Sequence, residues 1–117
     1  MNLVTIWHNP KCSKSREALS ILEDNGCEKE VVHYLDDTPN KDQIMTALTM
    51  LGLNPKDLMR TKEDIYTELN LKEEYDYDKL IDAMIENPIL IERPVIFKDG
   101  RAIIGRPTSI IADFLNS

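Results

Sequence analysis

Apolar residues recur along this chain with two periods, and each change of period marks an element. "NLVTIW" (2–7) is a short β-branched run that ends at polar residues, which predicts a strand. From Ser13 to Asn25 the positions Ala18, Leu19, Ile21 and Leu22 fall on one helical side, and Gly26 stops the pattern. "EVVHYL" (30–35) predicts a second strand. Strand, helix and strand within about 35 residues have the size of a βαβ unit.

The middle of the chain reads as helical. Asn40 with Gln43 has the form of a capping box ahead of Ile44, Leu48 and Leu51, with Gly52 as the stop. Asn54-Pro55 starts a short helix. Thr61 is the expected cap of the next, with Ile65 and Leu69 one turn apart. Asp76 caps a further helix that carries Leu80, Ile81, Met84 and Ile85 and ends at Asn87-Pro88. Strand patterning returns in "VIF" (95–97) and "AIIG" (102–105) around "KDGR", where Asp99-Gly100 signals a hairpin. Pro107 opens a terminal helix with Ile110, Ile111, Phe114 and Leu115 facing inward. The order βαβ, helices, ββα predicts an α/β protein with a thioredoxin-like mixed sheet. It reads as a single domain over 1–117 with a helical insertion at approximately 40–87.

Composition narrows the class. A chain of 117 residues supports one core. The net charge of −7 argues against general affinity for nucleic acid or anionic lipid. Apolar runs of a few residues predict no membrane span. Two cysteines without a signal-peptide pattern predict a reducing, cytoplasmic setting and no disulfide scaffold. No Cys/His spacing suits a metal, so no metal site is expected; separately, no tightly bound cofactor is expected, and the chain is expected to be a monomer.

"HNPKCSKSRE" (8–17) departs from the acidic balance, with Lys11, Lys14 and Arg16 around Cys12. Cys12 follows a strand and opens a helix, where unpaired N–H groups and the helix dipole favour a thiolate. Its pKa is therefore expected below that of a free thiol, and its polar flanks argue against a buried core residue. Lys14 and Arg16 read as solvated charges on the helix face. The motif is C-x-x-S, with Ser15 where a dithiol enzyme has its second cysteine. Cys27 lies a helix away, about 22 Å at 1.5 Å per residue. A disulfide needs Cα atoms within about 7 Å, so Cys27 reads as a quiet structural thiol. Ala18 occupies the place of the arginine in phosphatase-like loops, so any oxyanion ligands must come from elsewhere. His8 has two readings, a hydrogen bond that tunes Cys12 or packing at a strand end. His33 reads as a packing residue within a strand.

Three more stretches, "LMRTKEDIYTELNL" (58–71), "NPILIERPVIF" (87–97) and "IGRP" (104–107), together with "HNPKCSKSRE" resemble the glutaredoxin-linked arsenate reductase family. The resemblance runs along nearly the whole chain and is nearest to the family's short chromosomal branch. It implies Cys12 as nucleophile, with His8 and the arginines Arg60, Arg93 and Arg106 as catalytic partners. It also implies an oxyanion site of Arg60, Arg93, Arg106, Ser15 and Pro94, with Pro94 at the cis-proline position of the fold. Arginine suits the task, because its planar fork meets two oxygens at once and keeps its charge. The implied reaction reduces arsenate to arsenite, with glutathione as co-substrate and glutaredoxin as partner. Two other readings stay open. Spx-like regulators share the fold and bind RNA polymerase, although their switch uses C-x-x-C. A thiol oxidoreductase for another small oxyanion, or for a glutathionylated substrate, fits the same residues.

Overall fold

The computed structural model describes residues 3–117, so Asn2 of the first expected strand lies outside the described residues. In chain order the elements are β1 (Leu3–Trp7), α1 (Ser13–Asp24), β2 (Glu28–Val32), α2 (Lys41–Leu51), α3 (Asp64–Glu68), α4 (Tyr77–Glu86), β3 (Val95–Lys98), β4 (Arg101–Ile104) and α5 (Ile111–Leu115). Short 3₁₀ turns cover Pro55–Leu58, Leu71–Glu73, Pro88–Leu90 and Thr108–Ile110. The chain divides into two compact units, Met1–Asp37 with Arg93–Ser117 and the intervening Thr38–Glu92.

The first unit holds a four-stranded sheet in the order β2-β1-β3-β4. Strand β1 runs parallel to β2 and antiparallel to β3, and β3 runs antiparallel to β4. This is the mixed α/β sheet of the thioredoxin-like fold. Val4 and Ile6 of β1 and Ile96 of β3 are fully buried. They cluster with Ala18 and Leu22 of α1 and with Ile111, Phe114 and Leu115 of α5. Each of the valine, leucine, isoleucine and phenylalanine side chains among them contributes about 1.5–3 kcal/mol through burial. The hairpin turn has Asp99 at φ 52° and Gly100 at φ 75°, the left-handed pair that a two-residue turn between twisted strands requires.

The register positions the site. Trp7, the last residue of β1, lies opposite Val95, the first of β3, and Val95 lies opposite Ile104, the last of β4. The loop after β1, the Arg93-Pro94 segment before β3 and the Gly105-Arg106 segment after β4 therefore emerge at one end of the sheet. Antiparallel pairing thus gathers residues some ninety positions apart.

In the first unit three expectations change. Strand β2 starts at Glu28 and ends at Val32, since its parallel partner is only Leu3–Trp7 and pairs Leu3 with Glu28 and Trp7 with Val32. His33 consequently lies after the strand and is exposed, and its carbonyl accepts from the N–H groups of Asp36 and Asp37 in a turn. The last helix begins as the 3₁₀ turn Thr108–Ile110. Three residues per turn shift the phase, so Ile110 is 38% exposed while Ile111 is buried.

In the second unit α2 has both bonds of its capping box, from Gln43 N–H to Asn40 Oδ1 at 2.8 Å and from Asn40 N–H to Gln43 Oε1 at 2.9 Å. Asp76 caps α4 by accepting from the Lys79 N–H at 3.1 Å. Helix α3 departs from expectation, because Glu63 and not Thr61 precedes it. A turn closed by the Glu63 N–H on the Arg60 carbonyl occupies that stretch. Tyr66 is the buried residue of α3, and Leu69 is 46% exposed. Met59 and Ile91 form an isolated bridge, flanked by Arg60 N–H to Leu90 O and Glu92 N–H to Leu58 O, both at 2.7 Å. Among the described residues no helix is long and apolar enough to cross a membrane.

Candidate active site

The loop between β1 and α1 is knitted by its own polar groups. Asn9 is buried and makes three of the bonds. Its Oδ1 accepts from the Lys11 N–H at 3.0 Å and its carbonyl from the Cys12 N–H at 3.0 Å. Its own N–H donates to Ser15 Oγ at 3.0 Å. Asn before Pro favours such a side-chain turn, a signal present in "HNP" that points to Asn9 as a structural residue of the site. Arg16 adds a closing bond, from Nη1 to the Pro10 carbonyl at 3.0 Å, and so does more than face solvent.

Ser15 is fully buried, and His8 Nδ1 lies 2.7 Å from its Oγ. The Asn9 N–H donates to the same oxygen, so Ser15 Oγ joins the His8 ring to the loop backbone. The His8 pKa is lowered from 6.5, chiefly by burial and then by His33, whose ring stands edge-on with centroids 5.8 Å apart. Of the two readings of His8, its hydrogen bond links it through Ser15 to the turn that holds Cys12.

Cys12 is the N-cap of α1 and half-buried. Burial pushes its pKa up, but bonds from the Ser15 and Lys14 N–H groups and from the Arg93 side chain outweigh it, with further help from the Arg93 charge. The net direction is down from 9.0. Arg106 Nη2 donates to the sulfur at 3.3 Å, and its Nε donates to the Arg93 carbonyl at 2.7 Å. Arg93 is itself buried, at 9% exposure. Pro94 follows a cis bond, as does Pro107, and the Pro94 carbonyl accepts from the Gly105 N–H at 2.9 Å. A Cβ on Gly105 would lie 3.0 Å from Pro94 Cγ and 3.1 Å from Ile111 Cδ1, so glycine is what permits this approach.

Thus His8, Cys12, Ser15, Arg93, Pro94 and Arg106 come together in the first unit. Arg60, the third arginine expected from the resemblance, lies in the second unit. There its Nε meets Glu63 at 3.0 Å and its Nη1 meets Glu92 at 3.2 Å. Cys27 follows α1 and packs partly buried against the core of the first unit. Both cysteines are free thiols. Chemically, the Cys12 site offers a stabilised thiolate beside two guanidinium groups and backbone donors, a setting for a nucleophile that meets a small anion.

Comparison with known proteins agrees with this chemistry. The model of the ArsC family matches residues 7–114. The chain is 46% identical over 114 residues to the protein YfgD of Escherichia coli K12, covering 96% of each chain. It is 44% identical over 106 residues to an arsenate reductase of Neisseria meningitidis, covering 89% of this chain and 91% of that one. The solved structure of an arsenate reductase from Vibrio cholerae superposes with a TM-score of 0.91 at 43% identity, covering 95% of this chain and 96% of that one. A match along nearly the whole length, together with the fold and the cysteine–arginine site, establishes that this chain belongs to the ArsC family.

Proposed function

We propose that the protein reduces arsenate to arsenite, with Cys12 as nucleophile and glutathione and glutaredoxin as the source of electrons. The observation that carries the reading is the Arg106 guanidinium seated on the Cys12 sulfur at 3.3 Å. A cation there both stabilises the thiolate and receives the oxyanion that the thiolate attacks.

In the first step the sulfur bonds to arsenic and one oxygen leaves as water, arsenic staying As(V). The arginines offset the charge of dianion plus thiolate. A glutathione sulfur then replaces a second oxygen, again released as water. A glutaredoxin thiolate takes that glutathione as a mixed disulfide, and the sulfur–arsenic electron pair stays on arsenic, now As(III). Hydrolysis of the remaining bond returns the Cys12 thiolate and arsenite. External thiols are needed because position 15 is a serine and the 12-residue α1 separates Cys12 from Cys27.

The test is arsenate-dependent NADPH oxidation with glutathione, glutaredoxin and glutathione reductase supplied, against the same mixture lacking glutaredoxin and against thioredoxin with thioredoxin reductase in place of all three. Turnover that requires both glutathione and glutaredoxin supports the reading, and equal turnover with thioredoxin alone refutes the choice of reductant. An Arg60→Lys variant in the same assay asks whether a third arginine is used. Absence of arsenate turnover would direct attention to another small oxyanion.

A further inference from the structure

The segment that carries Arg106 is tied to the helix that carries Cys12 by a side-chain bond outside the reacting groups. Thr108 Oγ1 donates to Glu17 Oε1 at 2.6 Å, between residues 91 positions apart. Glu17 lies on α1, five positions after Cys12, and Thr108 lies two positions after Arg106. The other oxygen of the same carboxylate faces Lys14 Nζ at 3.8 Å. A hydroxyl donating to a carboxylate at this length is a strong, charge-assisted bond. It is exposed, so it adds little to global stability, and its effect is local. Pro107 stands between Arg106 and Thr108 and removes backbone freedom there. Where Thr108 is held therefore constrains where Arg106 points.

We infer that Glu17 and Thr108 are a positioning pair whose hydrogen bond keeps the Arg106 guanidinium on the Cys12 sulfur and so sets how well the site captures an anion. The inference rests on the roles of Cys12 and Arg106 proposed above, but its test needs no arsenate. In a Cys27→Ser background, Cys12 is alkylated at one pH with iodoacetate, an anion, and with iodoacetamide, which is neutral. The ratio of the two rates cancels the thiolate fraction and reports positive charge beside the sulfur. Arg106→Ala sets the floor of that ratio.

Thr108→Val and Glu17→Ala should each lower the ratio about threefold toward that floor, the low end of the net worth of one hydrogen bond, as its exposure dictates. The double variant should fall no further than either single one, and Thr108→Ser should restore the ratio. With arsenate, the same variants should raise KM more than they lower kcat. Glu17 sits on the exposed side of α1, so Glu17→Ala keeps the test available if Thr108→Val folds poorly. A ratio unchanged in both single variants overturns the inference, as do losses that multiply in the double variant, or an Arg106→Ala ratio equal to wild type. A wild-type protein without arsenate turnover would defeat the proposed function while leaving the alkylation ratio as a valid measure of the pair.

Discussion

On the Cys12 sulfur two effects oppose each other, and the balance decides the chemistry. Burial favours the neutral thiol, whereas the α1 N–H groups and Arg93 favour the thiolate and win. Alkylation of Cys12 should therefore rise with pH through a midpoint below 9.0, and the midpoint should move up in urea. The same shift enters stability. Between the folded and unfolded pKa values the unfolded chain holds a proton that the native thiol has lost, so stability rises with pH across that interval. The contribution is complete above the unfolded thiol value and lost as pH falls through the folded one. His8, lowered from 6.5, adds a rise of the same sign at lower pH. Denaturation of wild type against Cys12→Ala across pH isolates the cysteine part, and a difference that shrinks as pH rises would contradict it. Arg93→Lys and Arg106→Lys should each lower kcat/KM by roughly tenfold or more, because lysine keeps the charge but loses the fork that lets Arg106 bond Cys12 and the Arg93 carbonyl together. Steady-state kinetics near wild type in both would assign them structural roles. Cys12 was legible from local text, since a cysteine among cations at a helix start carries its chemistry in its neighbours, whereas Arg93 and Arg106 came forward only through the family resemblance. The burial of Asn9 and Ser15 was not legible, because it follows from bonds among loop residues that spacing does not display.

Elements were legible where their ends carry a chemical signal. The capping box of α2, the Asp76 cap of α4 and the Asp99-Gly100 turn lie where their residues predict. Helix α3 did not follow its pattern, because a turn over residues 60–63, braced by the Arg60–Glu63 pair, displaced its start. Strand β2 was misplaced for another reason, since its length is set by the partner β1 and not by its own β-branched run. The segment between β4 and the terminal 3₁₀ turn depends on a bare glycine. Gly105→Ala places a methyl 3.0 Å from Pro94 Cγ and 3.1 Å from Ile111 Cδ1. Overpacking of this kind costs roughly 1–3 kcal/mol, and the strain falls on the segment that aims Arg106. Chemical denaturation should show that loss, and the iodoacetate-to-iodoacetamide rate ratio at Cys12 should fall. Unchanged stability would mean that Pro94 and Ile111 yield freely.

At the scale of the whole chain, the sheet joins the two ends of the sequence. Thr5 pairs with Phe97 and Trp7 with Val95, and Arg106 meets Cys12 across 94 positions. A chain cut after Glu92 keeps the cysteine, its loop and α1 but lacks β3, β4, Arg93 and Arg106. Its Cys12 should titrate as it does in the urea-unfolded chain, measured by the pH profile of alkylation. A profile like that of the intact protein would mean that the loop and helix alone suffice. The pairing also orders events during synthesis, which runs from the N-terminus. Cys12 is made before Arg93 and Arg106, the cations that sharpen its sulfur. A nascent chain therefore carries Cys12 without Arg93 and Arg106 until β3 and β4 have been made and paired with β1, so an interrupted product that lacks them carries a duller thiol.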